Sequence, residues 1–289
     1  MSETYRLSRR DALKYAGAGL AATTLAGTAA AHGGGAEGHP ESVGDGSAHA
    51  YVEYEGPGRG RLSAIGVHLT ADALSNLPEE PEGWPFPGVP ADVPYTVEYA
   101  LDLPRGNTGH FSHATLDWNP GGHEPEGVYT HPHFDVHFYF PRAAEVATIA
   151  PGVATYTIPD EQLPADTYYA DDLPAPFPSA PVRGVVPAMG EHLVSVPVSL
   201  PTPGRTDWSV FIYGAYDFDG DGSGDVIFME PMVTTAYLDG LAEGEYRTPL
   251  PVPERFTDGG RYPTEYVVRR TAGGYDIALE SFEHFPGTD

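Results

Sequence analysis

Three histidines, an aspartate and a tyrosine alternate with apolar residues along His131, Pro132, His133, Phe134, Asp135, Val136, His137, Phe138, Tyr139 and Phe140. Successive side chains of a β-strand point to opposite faces. A strand here turns His131, His133, Asp135, His137 and Tyr139 one way and Pro132, Phe134, Val136, Phe138 and Phe140 the other. The apolar face packs a core. The polar face offers imidazole and carboxylate donors, the set that holds zinc, iron, manganese or copper.

Spacing limits what one strand can do with an ion. Residues two apart lie roughly 6.6 Å apart and can share a metal, whereas residues four apart lie roughly 13 Å apart. His133 and His137 therefore meet on one ion only if the strand bends, and further ligands must come from other elements. The best donors are His192 in Pro187-Ala188-Met189-Gly190-Glu191-His192, Glu230 in Phe228-Met229-Glu230-Pro231-Met232, and the pair His123-Glu124. The expected shell is His133, Asp135, His137 and His192, completed by Glu230 or His123. Glu124 or Glu230 is the candidate catalytic base if the ion activates water or oxygen. Three other readings of the same face stand beside this one: a metal-free pocket for a small molecule, a solvated sheet face, and a structural layer of networked polar side chains. Apart from Met1, the methionines (Met189, Met229, Met232) all fall in these segments. Thioethers favour copper, but methionine is also an ordinary core filler.

The N-terminus indicates where such a site would work. Ser8-Arg9-Arg10-Asp11-Ala12-Leu13-Lys14 fits a twin-arginine export signal and runs into a small-residue apolar stretch ending at Ala31. Residues 1–31 are expected to be removed, leaving an extracytoplasmic, secreted protein with no membrane span. Cleavage removes four basic and two acidic residues and takes the formal charge from -26 to -28. Lys14 is the sole lysine. A mature chain without lysine and rich in carboxylates has the composition of haloarchaeal proteins, so its acidity reports a halophilic habitat. It excludes nucleic acid as a partner, because phosphate binding needs a basic footprint. The absence of cysteine excludes disulfides, thiolate ligands and a cysteine nucleophile. No Gly-x-Ser-x-Gly elbow and no P-loop lysine occur. The partners left are a metal ion or a small molecule, and a homo-oligomer is compatible with these patterns.

The elements that must position the donors are short strands. Residues 32–49 are dominated by Gly, Glu, Ser and His and read as a disordered linker. Residues 50–289 then form one all-β domain, an antiparallel sandwich or barrel. Strands are expected over 61–70, 95–103, 112–118, 133–140, 193–200, 208–216, 226–238, 266–270 and 275–279, with short helices over 70–77 and 142–149. Residues 159–187 carry seven prolines and read as a long connection over the surface or over a site mouth.

Several motifs occur in order: Asp117-Trp118-Asn119-Pro120-Gly121-Gly122-His123-Glu124-Pro125, Pro132-His133-Phe134-Asp135-Val136-His137-Phe138-Tyr139, Pro187-Ala188-Met189-Gly190-Glu191-His192 and Ile227-Phe228-Met229-Glu230-Pro231-Met232. In these motifs, spread over residues 95–240, the chain resembles a family of exported β proteins of unknown function typified by a hypothetical protein of a thermophilic bacterium. The resemblance implies that His123, Glu124, His133, Asp135, His137, His192 and Glu230 belong to the family pattern; it implies no reaction. A looser likeness to cupins rests on the His-x-His strand and the later Pro-x-x-Gly-x-His.

Between two expected strands lies Asp217-Phe218-Asp219-Gly220-Asp221-Gly222-Ser223-Gly224-Asp225. Aspartates at loop positions 1, 3, 5 and 9 with glycine at 6 match the front of a calcium loop, but position 12 is Phe228 where such a loop needs glutamate. Asp217, Asp219, Asp221 and Asp225 are therefore candidate calcium ligands, with an acidic turn as the alternative.

Overall fold

The computed structural model describes residues 35–56, 60–79, 96–125, 127–175, 177, 179–196 and 198–288. The expected signal segment, 1–31, lies outside the described residues. Sixteen strands run through them: β1 (Gly35–Glu37), β2 (Glu41–Val43), β3 (Gly46–Glu55), β4 (Arg61–Thr70), β5 (Val97–Leu101), β6 (His113–Asn119), β7 (His133–Tyr139), β8 (Gly152–Val153), β9 (Thr167–Tyr168), β10 (Gly184–Val186), β11 (Gly190–Ser195), β12 (Ser209–Tyr216), β13 (Asp225–Thr234), β14 (Gly244–Pro249), β15 (Gly260–Thr271) and β16 (Gly274–Phe285). One sheet has the order β1-β3-β4-β16-β15-β14, with β2 added on β3. The other has the order β5-β6-β7-β13-β12-β11-β10-β8, with β9 added on β11. The order ends in free edges on both sheets, so the fold is an antiparallel sandwich and not the alternative barrel.

The alternation in β7 decides which face meets which. Phe134, Val136 and Phe138 are fully buried and join Leu116, Phe211, Met229 and Val233 of their own sheet with Val52, Ile65, Val67, Ile277 and Leu279 of the other in one core. Burying each large apolar side chain contributes about 1.5–3 kcal/mol, and a one-residue slip of β7 would send this whole set to the other face. The outer face of the second sheet is covered too. Val210, Ile212 and Met232 on that face pack with Tyr129, Trp208 and Leu173, the last from the proline-rich connection. That connection therefore lies over the sheet carrying the histidines.

The disordered linker is corrected by the structure. Residues 35–49 are strand and turn, not a tether: β1 and β2 both pair with β3, which begins at Gly46. Small residues hide this segment from a hydrophobicity reading, because Val43, Ala48 and Ala50 are fully buried in the core with little apolar bulk. Gly44, at φ +53°, makes the turn between β2 and β3 where a Cβ would strike the Ser75 carbonyl oxygen. His49 stands opposite His68, whose Nδ1 lies 2.6 Å from Asp276 Oδ1.

Helices are shorter than expected. Residues 70–77 make only a 3-10 turn at Ala71–Leu74, and 142–149 contain one α turn, α1 (Ala143–Val146). The strand expected over 226–238 stops at Thr234, whose Oγ1 accepts a hydrogen bond from the Tyr237 backbone N–H at 3.1 Å and so caps α2 (Thr235–Gly240).

Candidate metal centre

The polar face of β7 is central in its sheet, between β6 and β13. His133, Asp135 and His137 are all buried, at 0%, 4% and 0% exposure, which sets aside a solvated sheet face. Register brings the other donors to them. Asp117 lies opposite Asp135, Thr115 opposite His137 and Asn119 opposite His133. On the other side Met229 pairs with Phe138 and Met232 with Asp135, which sets Glu230 against His137. His192 stands opposite Gly214, and Gly214 opposite Phe228. His123 comes from outside the strands, held by an antiparallel bridge to Tyr129.

These residues form two separate triads, not the single shell expected. His123, His133 and Asp135 make the first, and His137, His192 and Glu230 the second, with the donor atoms of each within 4.8 Å of one another. In the first, Asp135 lies 3.2 Å from His123 Nε2 through Oδ2 and 3.0 Å from His133 Nε2 through Oδ1. In the second, Glu230 Oε2 is 3.5 Å from both His137 Nε2 and His192 Nε2. The physical reason for the split is the strand itself: His133 and His137, four residues apart, cannot converge on a regular β7.

Three of the rings are held by their other side. His123 Nδ1 lies 2.7 Å from the Glu124 carbonyl oxygen, His133 Nδ1 2.6 Å from the His131 carbonyl oxygen, and His137 Nδ1 2.7 Å from Asp117 Oδ2. Thr115 Oγ1 donates to Asp117 and Asn119 Nδ2 donates to Asp135, both at 2.8 Å. This outer ring of acceptors fixes Nδ1 as the protonated nitrogen and aims the Nε2 lone pairs inward, the arrangement that orients metal-bound imidazoles. His133 Nε2, Asp135 Oδ1, His137 Nε2 and Glu230 Oε2 are buried and make no aligned hydrogen bond. Buried polar atoms are rarely left so.

Charge follows the geometry. Burial opposes ionisation of Asp135, but His133 and His123 outweigh it and hold the carboxyl well below its usual range. Burial also disfavours charge on His123 and His137; Asp135 for the first, and Glu230 with Asp117 for the second, outweigh it and push both up to about 9. Burial pushes Glu230 up to about 8 against the pull of His137. Burial, then the charges of His137 and His123, pushes His192 down to about 3.

Other expected residues fall elsewhere. Glu124 is exposed, lies outside both triads and contributes its carbonyl to His123. Glu230 belongs to the second triad. Asp217, Asp219 and Asp221 cluster in their loop, and their carboxylates accept backbone N–H bonds from Gly220, Gly222, Asp221 and Ser223. Asp225 leaves that cluster: it starts β13 and accepts from Gln162 Nε2 at 3.1 Å and Thr257 Oγ1 at 2.8 Å. Met229 and Met232 pack in the two apolar clusters, so the case for copper through thioethers falls away. Asp117, Thr115 and Asn119 were missed, although their alternation on β6 repeats that of β7.

Phe228 packs edge-on against the rings of both His137 and His192, with centroids at 4.9 and 5.2 Å. It can do so because position 214 is glycine: a Cβ there would lie 1.8 Å from the Phe228 ring. Gly214→Val is therefore expected to cost about 1–3 kcal/mol through overpacking, measured by urea unfolding, and to weaken metal uptake at the second triad. Wild-type stability and uptake in that variant would show that the ring does not depend on the gap.

No protein-family model, curated protein or solved structure matches the chain.

Proposed function

We propose that this protein is an exported, halophilic metal-binding β-sandwich whose buried histidine face holds divalent transition metal. One observation carries the reading: four buried donor atoms, His133 Nε2, Asp135 Oδ1, His137 Nε2 and Glu230 Oε2, lack hydrogen-bond partners and face one another within the two triads. A cation takes all four as ligands, whereas without one they are compensated only by facing each other, His133 Nε2 with Asp135 Oδ1 at 3.0 Å and His137 Nε2 with Glu230 Oε2 at 3.5 Å, without aligned hydrogen bonds. The donor set is nitrogen and oxygen only, which suits zinc, iron(II) or manganese(II) better than copper(I). Two histidines and one carboxylate leave coordination positions open, as in sites where a metal activates bound water or a substrate. The twin-arginine leader supports a place outside the cytoplasm.

Trp208 provides a direct test. Its ring centroid lies 5.0 Å from that of His133, so filling the first triad is expected to change tryptophan fluorescence. Untagged protein purified from high salt without chelator is expected to carry zinc, iron or manganese by elemental analysis. Stripping it should lower the melting temperature, since an ion that binds only the folded state stabilises it. A protein that carries no transition metal and shows no fluorescence change on adding zinc would end this reading in favour of a structural polar layer.

A further inference from the structure

We infer that the two triads bind two divalent ions, one each, and that this pair of ions receives an oxyanion group, a phosphate or a carboxylate, entering past His123 and His192. The inference rests on the metal-binding reading above and adds the number of ions and the chemistry of what they take.

Three observations require two ions. The triads share no residue, and their six donors do not fall within the 4.8 Å that each triad satisfies separately. Ligands at about 2.0–2.2 Å from one ion cannot lie more than about 4.4 Å apart, so no single ion touches all six. Each triad also holds two buried atoms without an aligned hydrogen bond. His133 Nε2 and Asp135 Oδ1 belong to the first triad, His137 Nε2 and Glu230 Oε2 to the second. One ion would satisfy one pair and leave the other buried and unmatched. Finally, acceptors orient rings on both sides: the Glu124 and His131 carbonyls in the first triad, and Asp117 behind His137 in the second.

The class of ligand follows from charge and access. Two divalent ions bring four positive charges, and Asp135, Glu230 and Asp117 behind His137 supply three negative ones. The surplus is held in a pocket of a strongly acidic protein, where an anion is the group that neutralises it. The side chains of His133, His137, Asp135 and Glu230 are at most 6% exposed, but His123 and His192 are 29% and 23% exposed. Each triad thus has one histidine at solvent. These two rings are where a ligand from solvent reaches the two triads. An oxyanion entering there can offer one oxygen to each ion in the positions the protein leaves open.

The test counts ions first. Chelator-stripped wild-type protein titrated with zinc in a calorimeter is expected to take up two equivalents, and His133→Gln and His137→Gln one each, with circular dichroism confirming the fold. A wild-type protein that binds one equivalent, lost in either variant, overturns the two-ion assignment while leaving metal binding intact. A wild-type protein that binds none overturns metal binding itself. The wild-type count decides even if a variant fails to fold. Cobalt(II)-loaded protein then reports the ligand: inorganic phosphate is expected to shift its visible spectrum, saturating at one phosphate per chain, and not to bind the stripped protein. An unchanged spectrum with no phosphate bound overturns the oxyanion assignment.

Discussion

Asp135→Ala is expected to destabilise the metal-free protein by about 3–5 kcal/mol, the cost of removing one partner from a buried charge cluster. Asp135 is 4% exposed. One oxygen accepts from Asn119 and faces His123, while the other faces His133. Removing the carboxylate leaves two imidazoles without their counter-charge and the Asn119 amide without its acceptor, in a place water does not reach. Asp207 serves as the contrast. Its bridge to Arg205 is shorter, at 2.5 Å, but the two side chains are 49% and 55% exposed, and such pairs contribute little that salt does not screen away. In molar salt the Asp135 effect should persist and the Asp207 effect should vanish. Urea unfolding of both variants at low and high salt makes the comparison. A cost for Asp135→Ala no larger than that for Asp207→Ala would mean that the triad is not held together by charge.

The contrast between these two aspartates also shows which parts of the site were legible in the sequence. Both sit in polar stretches, but only the period-two alternation around Asp135 marks a strand with opposed faces, and Phe134, Val136 and Phe138 do fill the core behind it. The same periodicity already limited His133 and His137 to different ions on an unbent strand. It could not supply register. That Glu230 meets His137 depends on the pairing of β13 with β7, and that His192 reaches the same place depends on Gly214 making room for Phe228. Neither relation is written in local residue spacing. Residues 35–49 were misread for a different reason: alanine and glycine can form a core strand through close approach, without the apolar bulk that a sequence reading weighs. The aspartate loop shows the converse fault, since the spacing counted Asp225 as a ligand but the start of β13 turns it toward Gln162 and Thr257.

Metal affinity is expected to rise with pH, and more steeply at the second triad than at the first. An ion binds neutral imidazole and ionised carboxylate, so every proton held at a donor must be displaced. At the second triad His137 is raised to about 9 and Glu230 to about 8, so both hold protons at neutral pH, while His192, lowered to about 3, holds none. The sign is fixed by these directions. Raised groups are protonated below their shifted values, so binding there releases protons, strengthens as pH rises and is lost as pH falls. Two protons displaced give about a hundredfold change in affinity per pH unit below about pH 8, or about 2.7 kcal/mol. At the first triad Asp135 is already ionised, and His123, raised to about 9, is the donor that neighbouring charge keeps protonated. One proton displaced gives about tenfold per unit between about pH 7 and 8. Chelator competition at several pH values on His133→Gln and His137→Gln, each retaining one triad, would read the two slopes separately. Equal slopes, or affinity independent of pH, would contradict the charge distribution described for the cluster. If the slopes differ as expected, mild acidification empties the second triad first, and the loss of that ion removes half of the charge that would hold an oxyanion between them.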